Sequence, residues 1–219
     1  YKILKSKKIT IKKNISKETS KLIYKNYFYS KLNKIPYIYG KLAISKDFFL
    51  KDKKKFYITN DQSLKTTHIL RSRANCILTS YKTINEDNPK LTCRLNGLEK
   101  FSPQVAILDK NINVKRNSFL IKNAKRIRTI LFYNQINKKK IKFLKSKKIK
   151  LVYTPLVNRT LDFNFVLKKL YKFEISSILV EGGKLLTLSL LNNNFFNEFY
   201  LFVANKKLNK RGIIKISNI

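Results

Sequence analysis

Short apolar runs that are typical of buried strands recur along this chain, and segments with helical spacing of apolar residues separate several of them. Strands that are joined through helices pair in parallel, so this alternation predicts an α/β fold with a mostly parallel central sheet flanked by helices. The predicted strands cover residues 36–45, 76–80, 105–109, 129–133, 149–153, 178–180 and 198–204, and the predicted helices cover about 61–73, 138–145, 161–171 and 184–191. The segments 51–55 and 81–88 are predicted as polar loops.

The strand at 178–180 is followed directly by Glu181, Gly182 and Gly183. The chain has five glycines, and two of them are adjacent here. Residues without a Cβ atom let the N–H groups at a helix N-terminus approach a ligand, and the helix dipole favours an anion such as phosphate there. Glu181, at the carboxyl end of a buried strand, would project into the crevice where open α/β sheets bind ligands. The alternative is an ordinary strand-to-helix turn with a solvated glutamate.

The chain is strongly basic, because 49 Lys and Arg residues against 12 Asp and Glu residues give a formal net charge of +37. Such a balance raises the hypothesis of nucleic-acid binding. The lysines are spread along nearly the whole chain with many Ile, Asn, Phe and Tyr residues, as compositional drift would produce, and no recognition motif accompanies them. We therefore predict that nucleic acid is not a partner, with binding of single strands through aromatic side chains as the alternative.

Cysteine and histidine are too few for a zinc site. Cys76 and Cys93 lie in different segments without a Cys-x-x-Cys pair, and His68 is the only histidine. We predict no metal and no disulfide framework, and we interpret His68 as structural or solvated.

No run of about 18 apolar residues and no signal peptide is visible, which predicts no membrane association and a reducing, cytoplasmic location. The chain contains no methionine, so we expect that it does not begin at its translational start.

The first 34 residues are predicted to be an appendage. A short strand is predicted at residues 8–11, and Asn14 or Ser16 can cap a helix that runs to about residue 31. Pro36 marks the boundary with the main domain.

Lys41 lies inside the first main strand, on the face of Ala43 and opposite to that of Leu42. A lysine in such a place marks an edge or a solvent face in one interpretation. In the other, it lies at the cleft end of the strand and reaches a ligand.

Several motifs that are weak individually occur together in one order and spacing. They comprise Pro36-Tyr37, Lys41-Leu42-Ala43, Ser45, Asp47, Ile58-Thr59, Leu70-Arg71, residues 74–78, Thr83, Asp87, Pro89, Leu91-Thr92, Arg94, Val105, Asp109 and residues 179–183. In this joint pattern the chain, from about residue 36 through residue 212, resembles the reductase domain of the bifunctional bacterial riboflavin-biosynthesis enzyme of the RibD type.

This resemblance implies a dihydrofolate-reductase-like fold, a homodimer and NADPH as cofactor. The implied reaction is the reduction of 5-amino-6-(5-phospho-D-ribosylamino)uracil to 5-amino-6-(5-phospho-D-ribitylamino)uracil, so the expected partner is a phosphorylated pyrimidine. Residues 1–34 resemble the last strand and helix of the deaminase domain that precedes the reductase in that family, and residues 35–219 then form the reductase domain. The zinc-binding elements of the deaminase are not in this sequence. The family domain usually continues further, so we expect one or two final strands beyond Ile219.

We predict catalytic roles for Lys41, Asp87 and Glu181. An ammonium and a carboxylate that face each other, Lys41 and Glu181, could orient the opened ribose and assist proton transfer. Asp87 resembles the family residue that touches both ligands, and its alternative role is to stabilise a turn before Pro89.

Substrate binding is predicted for Thr59, Arg71, Leu91 and Arg94. Arg71 and Arg94 can hold a phosphate through a planar fork that lysine cannot reproduce. The alternative for both is a solvated basic side chain.

The resemblance places cofactor binding on the paired glycines and the helix after them. The predicted contacts are Ala43, Tyr57, Thr83, Asp87, Gly182, Gly183, Lys184, Leu185, Leu186, Thr187, Leu188 and Ser189. Three residues depart from the family pattern: Lys55 and Lys110 replace serines, and Phe48 replaces a glycine that is common after Asp47. The departures at Phe48 and Lys55 put the geometry of the loop between them in question.

Two other functions stay open. One is a related NADPH-dependent pterin or pyrimidine reductase, because a fold does not fix a substrate. The other is a basic nucleic-acid-binding protein on a decayed reductase scaffold, whose binding of RNA would depend steeply on salt.

Overall fold

In a computed structural model, which describes residues 2–13, 15–54 and 58–216, the centre of the molecule is a seven-stranded sheet. Its strands are β1 (Tyr37–Ser45), β3 (Cys76–Ser80), β4 (Gln104–Leu108), β5 (Thr129–Tyr133), β6 (Lys150–Tyr153), β9 (Ser177–Val180) and β10 (Glu198–Ala204). They lie in the order β10-β1-β9-β3-β4-β5-β6, and all six ladders are parallel. The predicted α/β class and parallel sheet are therefore confirmed.

Two small antiparallel pairs lie outside this sheet. In the first, β2 (Phe49–Asp52) pairs with β11 (Gly212–Lys215), and in the second, β7 (Leu156–Val157) pairs with β8 (Thr160–Leu161). The helices are α1 (Lys2–Ser6), α2 (Lys17–Ile23), α3 (Lys25–Asn33), α4 (Asp61–Arg73), α5 (Tyr81–Asp87), α6 (Phe119–Lys122), α7 (Lys138–Ser146), α8 (Phe163–Lys172) and α9 (Lys184–Asn192).

Helices cover both faces of the sheet, so the central strands are almost fully buried and mostly apolar. On one face the core contains Ile77 and Leu131 of the sheet together with Leu70 of α4 and Leu144 of α7. On the other face α8 contributes Val166, Leu167 and Leu170. Burial on both faces explains why the strands of a parallel sheet read as continuous apolar runs in the sequence.

Side-chain caps define the starts of the main helices. Asn60 accepts a hydrogen bond from the backbone N–H of Ser63 at 3.0 Å and begins α4, and Asp162 does the same for Phe165 at 3.0 Å and begins α8. These bonds satisfy N–H groups that have no partner within the helix.

Five local predictions are wrong. The predicted loop at 51–55 begins inside a strand, because Lys51 and Asp52 belong to β2. Residues 8–11 form no strand, and the single helix predicted up to residue 31 is two helices, α2 and α3, with Tyr24 between them. Asn14, one of the two caps proposed for it, lies outside the described residues. The predicted loop at 81–88 is the helix α5, which the Ser80 side chain caps by accepting the N–H of Thr83 at 3.4 Å. Leu161, predicted as the first helical residue, belongs to β8.

Candidate active site

The site lies at the carboxyl end of β9, which is placed between β1 and β3. Val180, the last residue of β9, is level with Gly40 of β1 and Leu78 of β3. The connection after β3 leads to β4, away from β9, and the connection after β9 leads in the opposite direction to β10, so the direction of the strand order reverses between these two neighbouring strands. Open α/β sheets bind their ligands outside the carboxyl ends of strands at such a switch point.

A cavity of about 630 Å³ opens at this position. Eleven residues that the sequence assigned to catalysis, substrate or cofactor line it: Lys41, Ala43, Thr59, Arg71, Thr83, Asp87, Leu91, Arg94, Glu181, Gly182 and Gly183. Tyr57 lies outside the described residues. The structure thus brings together residues that are far apart in the chain: Lys41 and Gly183 are separated by 142 positions (183 − 41).

Glu181 and Arg71 form the central ion pair of the cavity. The Arg71 Nε donates to Glu181 Oε1 at 2.6 Å and Nη2 donates to Oε2 at 2.8 Å, while Nη1 donates to the carbonyl of Thr92 at 3.1 Å. Both side chains are only 11% exposed. Burial raises the pKa of the Glu181 carboxyl, but the charge and hydrogen bonds of Arg71, helped by the charge of Lys41, hold this pKa below its ordinary value. Glu181 is therefore an anion that the protein fixes in one orientation.

Lys41 lies beside this pair without joining it. The sequence predicted that Lys41 and Glu181 face each other as partners, but the ammonium forms no hydrogen bond or ion pair with any residue that the structure describes. It lies 5.8 Å from the centroid of the Phe202 ring. Burial lowers the pKa of Lys41 below its ordinary value, with a contribution from the Arg71 charge and against the opposing effect of Glu181.

The interpretation of Lys41 as an edge residue is wrong, since β1 has β10 on one side and β9 on the other. Its position level with the end of β9 matches the cleft interpretation. A partly buried amine with a lowered pKa is better suited to proton transfer near neutral pH than an exposed lysine.

Asp87 is held from across the cavity by Lys51. The Lys51 ammonium donates to Asp87 Oδ1 at 2.7 Å and lies 3.5 Å from Glu86 Oε2, which links β2 to the end of α5. Sequence reasoning missed Lys51, because the segment that contains it was interpreted as a charged loop. No local sequence pattern indicates this strand, because β2 forms only through its pairing with β11, which lies about 160 residues later.

The outer wall of the cavity carries Arg94, His68 and Leu91. The Arg94 guanidinium is exposed and makes no hydrogen bond or ion pair within the described part of the chain. Leu91 is buried and adopts a left-handed backbone with φ of 52°. His68 lines the cavity, and its Nδ1 accepts the backbone N–H of Arg94 at 3.2 Å. Burial first, then the charges of Arg71 and Arg94, lower the pKa of His68.

The paired glycines form the wall where α9 begins. Gly183 is the N-cap of this nine-residue helix, and its N–H donates to Thr83 Oγ1 at 3.2 Å. A Cβ atom built on Gly183 would meet nothing closer than that same oxygen, at 3.9 Å, so the backbone is open to the cavity. A helix N-terminus with open glycine backbone and the small side chain of Ala43 nearby fits a dinucleotide phosphate.

The rest of the predicted cofactor segment lies away from the cavity. Lys184 donates to the carbonyl of Lys215 at 2.7 Å, Leu186 and Leu188 pack against the core, and Thr187 is buried. Leu185 and Ser189 are exposed. The packed side chains of Leu186, Thr187 and Leu188 hold α9 in place, and the part of the segment that faces the cavity is the backbone where the helix begins.

No cluster of three or more His, Cys, Asp or Glu side chains has the arrangement of a metal site among residues 2–13, 15–54 and 58–216. Within the same ranges no helix has the length and apolar character that crossing a membrane requires.

Comparison with models of protein families matches residues 36–211 to the RibD C-terminal domain. The riboflavin biosynthesis protein RibD of Aquifex aeolicus is 33% identical over 150 residues, which are 68% of this chain and 40% of that protein. The chain spans between 40% and 54% of the length of the curated relatives that it matches.

Solved structures share the fold. Acinetobacter baumannii RibD superposes with a TM-score of 0.81 at 17% identity, covering 100% of this chain and 59% of that one. A Thermotoga maritima protein, described as a diaminohydroxyphosphoribosylaminopyrimidine deaminase and 5-amino-6-(5-phosphoribosylamino)uracil reductase, superposes with a TM-score of 0.75 at 21% identity, covering 96% of this chain and 57% of that one. Together these similarities confirm the predicted architecture.

Proposed function

The chain belongs to the RibD C-terminal domain family, a family of riboflavin-biosynthesis reductase domains, and from this premise we propose that it reduces 5-amino-6-(5-phospho-D-ribosylamino)uracil to the ribitylamino product with NADPH. The observation that carries the proposal is the cluster of Lys41, Arg71 and Glu181 beside the open backbone of Gly183 in one cavity. The oriented carboxylate can hydrogen-bond the opened sugar, and the unpaired amine can transfer a proton to it. The helix N-terminus can bind a phosphate through its backbone N–H groups.

The substrate phosphate is assigned to Arg94. Its guanidinium is exposed in the cavity wall and has no partner among the described residues, whereas the Arg71 guanidinium is engaged by Glu181 and by the carbonyl of Thr92. A planar fork can bind two phosphate oxygens at once. In this assignment Arg71 serves the substrate indirectly, because it fixes the carboxylate of Glu181.

Glu181 and Lys41 then act on the sugar. The Glu181 carboxylate can accept hydrogen bonds from ribose hydroxyls and so hold the chain of the opened sugar in one conformation. Lys41 carries the proton that the reduced carbon–nitrogen bond requires, and its lowered pKa makes the ammonium a stronger acid than an exposed lysine. When bound, NADPH would supply the hydride.

The cofactor contacts are assigned to the backbone at the start of α9 and to residues around it. Gly182, Gly183 and Thr83 would hold the phosphates, and Ala43 leaves room for a flat ring. Asp87 lies between the two sides of the cavity, where the Lys51 ammonium keeps it in place. The cavity volume of about 630 Å³ lies within the range of ligand sites in proteins.

The test is a reductase assay with purified protein, in which loss of nicotinamide absorbance is followed with and without the ribosylaminouracil phosphate. We expect oxidation of NADPH only when the substrate is present, and formation of the ribitylamino product by mass spectrometry. A panel of dihydropterins and other pyrimidines at fixed NADPH separates this activity from that of a related reductase. Absence of turnover in a protein whose thermal unfolding shows it to be folded would overturn the proposal.

A further inference from the structure

His68 is the only histidine of the chain and lies one helical turn before Arg71 on α4. Both side chains point to the irregular segment that follows Pro89. Arg71 donates to the carbonyl of Thr92 at 3.1 Å, and His68 accepts the N–H of Arg94 at 3.2 Å. The helix therefore holds this segment at two backbone groups that lie on either side of Cys93.

Other residues also restrain the segment near Arg94. Leu91 and Cys93 are buried, and the Ser102 hydroxyl accepts the N–H of Cys93 at 3.0 Å and lies 3.4 Å from the carbonyl of Cys93. Arg94 itself is exposed, and its guanidinium has no partner among the described residues. His68 and Ser102 thus hold the backbone on either side of the peptide bond before Arg94, and of these two residues His68 is the one that lines the cavity.

Only a neutral imidazole can make this contact, because an imidazolium has no acceptor nitrogen. When Nδ1 accepts, the proton of the neutral ring is on Nε2. The charged groups around the ring are Arg71 on the same helix, Arg94 on the segment and Glu181 after β9. Partial burial, followed by the charges of Arg71 and Arg94, lowers the pKa of His68 against the opposing effects of Glu181 and the Thr92 backbone, so the neutral form predominates at neutral pH.

We propose that His68 is a positioning residue for substrate binding: its neutral ring accepts the Arg94 N–H and thereby places the Arg94 guanidinium to receive the anionic end of the substrate. This rests on the proposed function in one respect, namely that Arg94 binds the substrate phosphate. Neither Lys41 nor Glu181 depends on this contact, so the loss of it affects binding and not the chemical step.

Two variants test the role. His68→Leu removes the acceptor, whereas His68→Asn keeps an acceptor, Oδ1, at the position of Nδ1 and cannot become charged. We expect His68→Leu to raise KM for the substrate about three- to tenfold, the range for loss of one net hydrogen bond, with kcat and the KM for NADPH within about twofold. His68→Asn should restore the substrate KM to within about twofold of the wild type. Equal KM values in all three proteins would overturn the proposal.

A second measurement does not depend on activity. Because the chain has one histidine, the imidazole ¹⁵N resonances need no assignment, and we expect the tautomer with the proton on Nε2 at neutral pH. The Arg94 amide should exchange its proton faster in His68→Leu than in the wild type and His68→Asn. Protonated Nδ1, or an unchanged Arg94 exchange rate in folded His68→Leu, would contradict the positioning role.

These results are separable from the fate of the proposed function. Lack of reductase activity in wild-type protein with the expected tautomer and exchange rates would overturn the reductase and keep the His68–Arg94 contact. Full reductase activity with the wrong tautomer would overturn the His68 proposal alone.

Discussion

At the scale of the residue, the cavity uses its two arginines differently. The Arg71 side chain is 11% exposed, and its guanidinium donates two hydrogen bonds to Glu181. Arg94 is exposed, and its guanidinium has no partner among the described residues. Both were expected to bind the substrate, because each is an arginine in a matching motif. Their difference comes from depth: the buried carboxylate of Glu181 needs a partner, and Arg71 is the guanidinium within reach.

Replacement of each arginine by lysine distinguishes these roles. Arg71→Lys keeps the charge but loses the two-point hold on Glu181, so we expect kcat to fall about tenfold or more, with a smaller change in substrate KM. Arg94→Lys should mainly raise the substrate KM. Steady-state kinetics at saturating NADPH measure both, and each variant is the control for the other. The same change in the same parameter for both variants would contradict the assignment.

Phe48 shows how one residue departs from its family and still accepts the local geometry. Its φ is 68°, in the left-handed region that a glycine adopts without strain. The family pattern commonly has glycine at this position, and the left-handed backbone explains why glycine suits it. A side chain in that region costs about 1–2 kcal/mol. The turn nevertheless forms, with the N–H of Phe48 donating to the carbonyl of Ser45 and the carbonyl of Phe48 accepting the N–H of Ile216.

At the scale of the element, two glycines serve unlike purposes. Gly40 lies in β1, where a Cβ atom would come within 2.6 Å of the rings of Phe196 and Phe199. Gly183 begins α9, where a Cβ atom would have open space up to 3.9 Å. The first glycine allows close packing over the sheet, and the second leaves backbone accessible from the cavity.

An alanine at each position should separate stability from binding. We expect Gly40→Ala to lower the free energy of unfolding by about 1–3 kcal/mol, because the aromatic rings must shift. Gly183→Ala should lower it by at most about 1 kcal/mol, since alanine is a poorer N-cap, but should weaken NADPH binding by partly covering the helix N-terminus. Urea denaturation and NADPH titration provide the two readouts. An unchanged free energy of unfolding in Gly40→Ala, or an unchanged NADPH affinity in Gly183→Ala, would contradict these separate roles of the two glycines.

At the scale of the whole molecule, the net charge of +37 is the dominant electrostatic fact. With 12 acidic residues in the chain, most of its 49 basic residues cannot have an acidic neighbour of their own. Mutual repulsion among the remaining charges destabilises the folded state, and salt screens it over a Debye length of about 30 Å at 0.01 M and about 8 Å at 0.15 M.

We therefore expect the melting temperature to rise with sodium chloride over this range. A gain of about 1 kcal/mol would correspond to roughly 2–4 °C for a domain of this size. Differential scanning calorimetry measures the shift, and sodium sulfate at equal ionic strength is the control for specific anion binding. A flat or falling melting temperature would show that repulsion does not limit stability.

The sequence by itself determined the fold class, several strand boundaries and the family. The predicted strands 76–80, 129–133 and 198–204 agree with β3, β5 and β10 residue for residue. β3 and β5 are almost fully buried, which leaves an uninterrupted apolar signal that depends on no distant residue. The turn from β9 through Glu181 to α9 could likewise be predicted from the sequence, because a strand, two glycines and a helix follow one another directly.

Only the tertiary structure decided which side chains became partners. Arg71 and Glu181 are 110 positions apart, Lys51 reaches Asp87 because β2 is held by β11, and His68 meets Arg94 across a segment with a left-handed residue. The same holds for α5, a polar segment whose local sequence predicts a loop. Local patterns report the preferences of neighbours within a few residues, whereas charge partners are chosen by burial and distance, and both exist only once the sheet has formed.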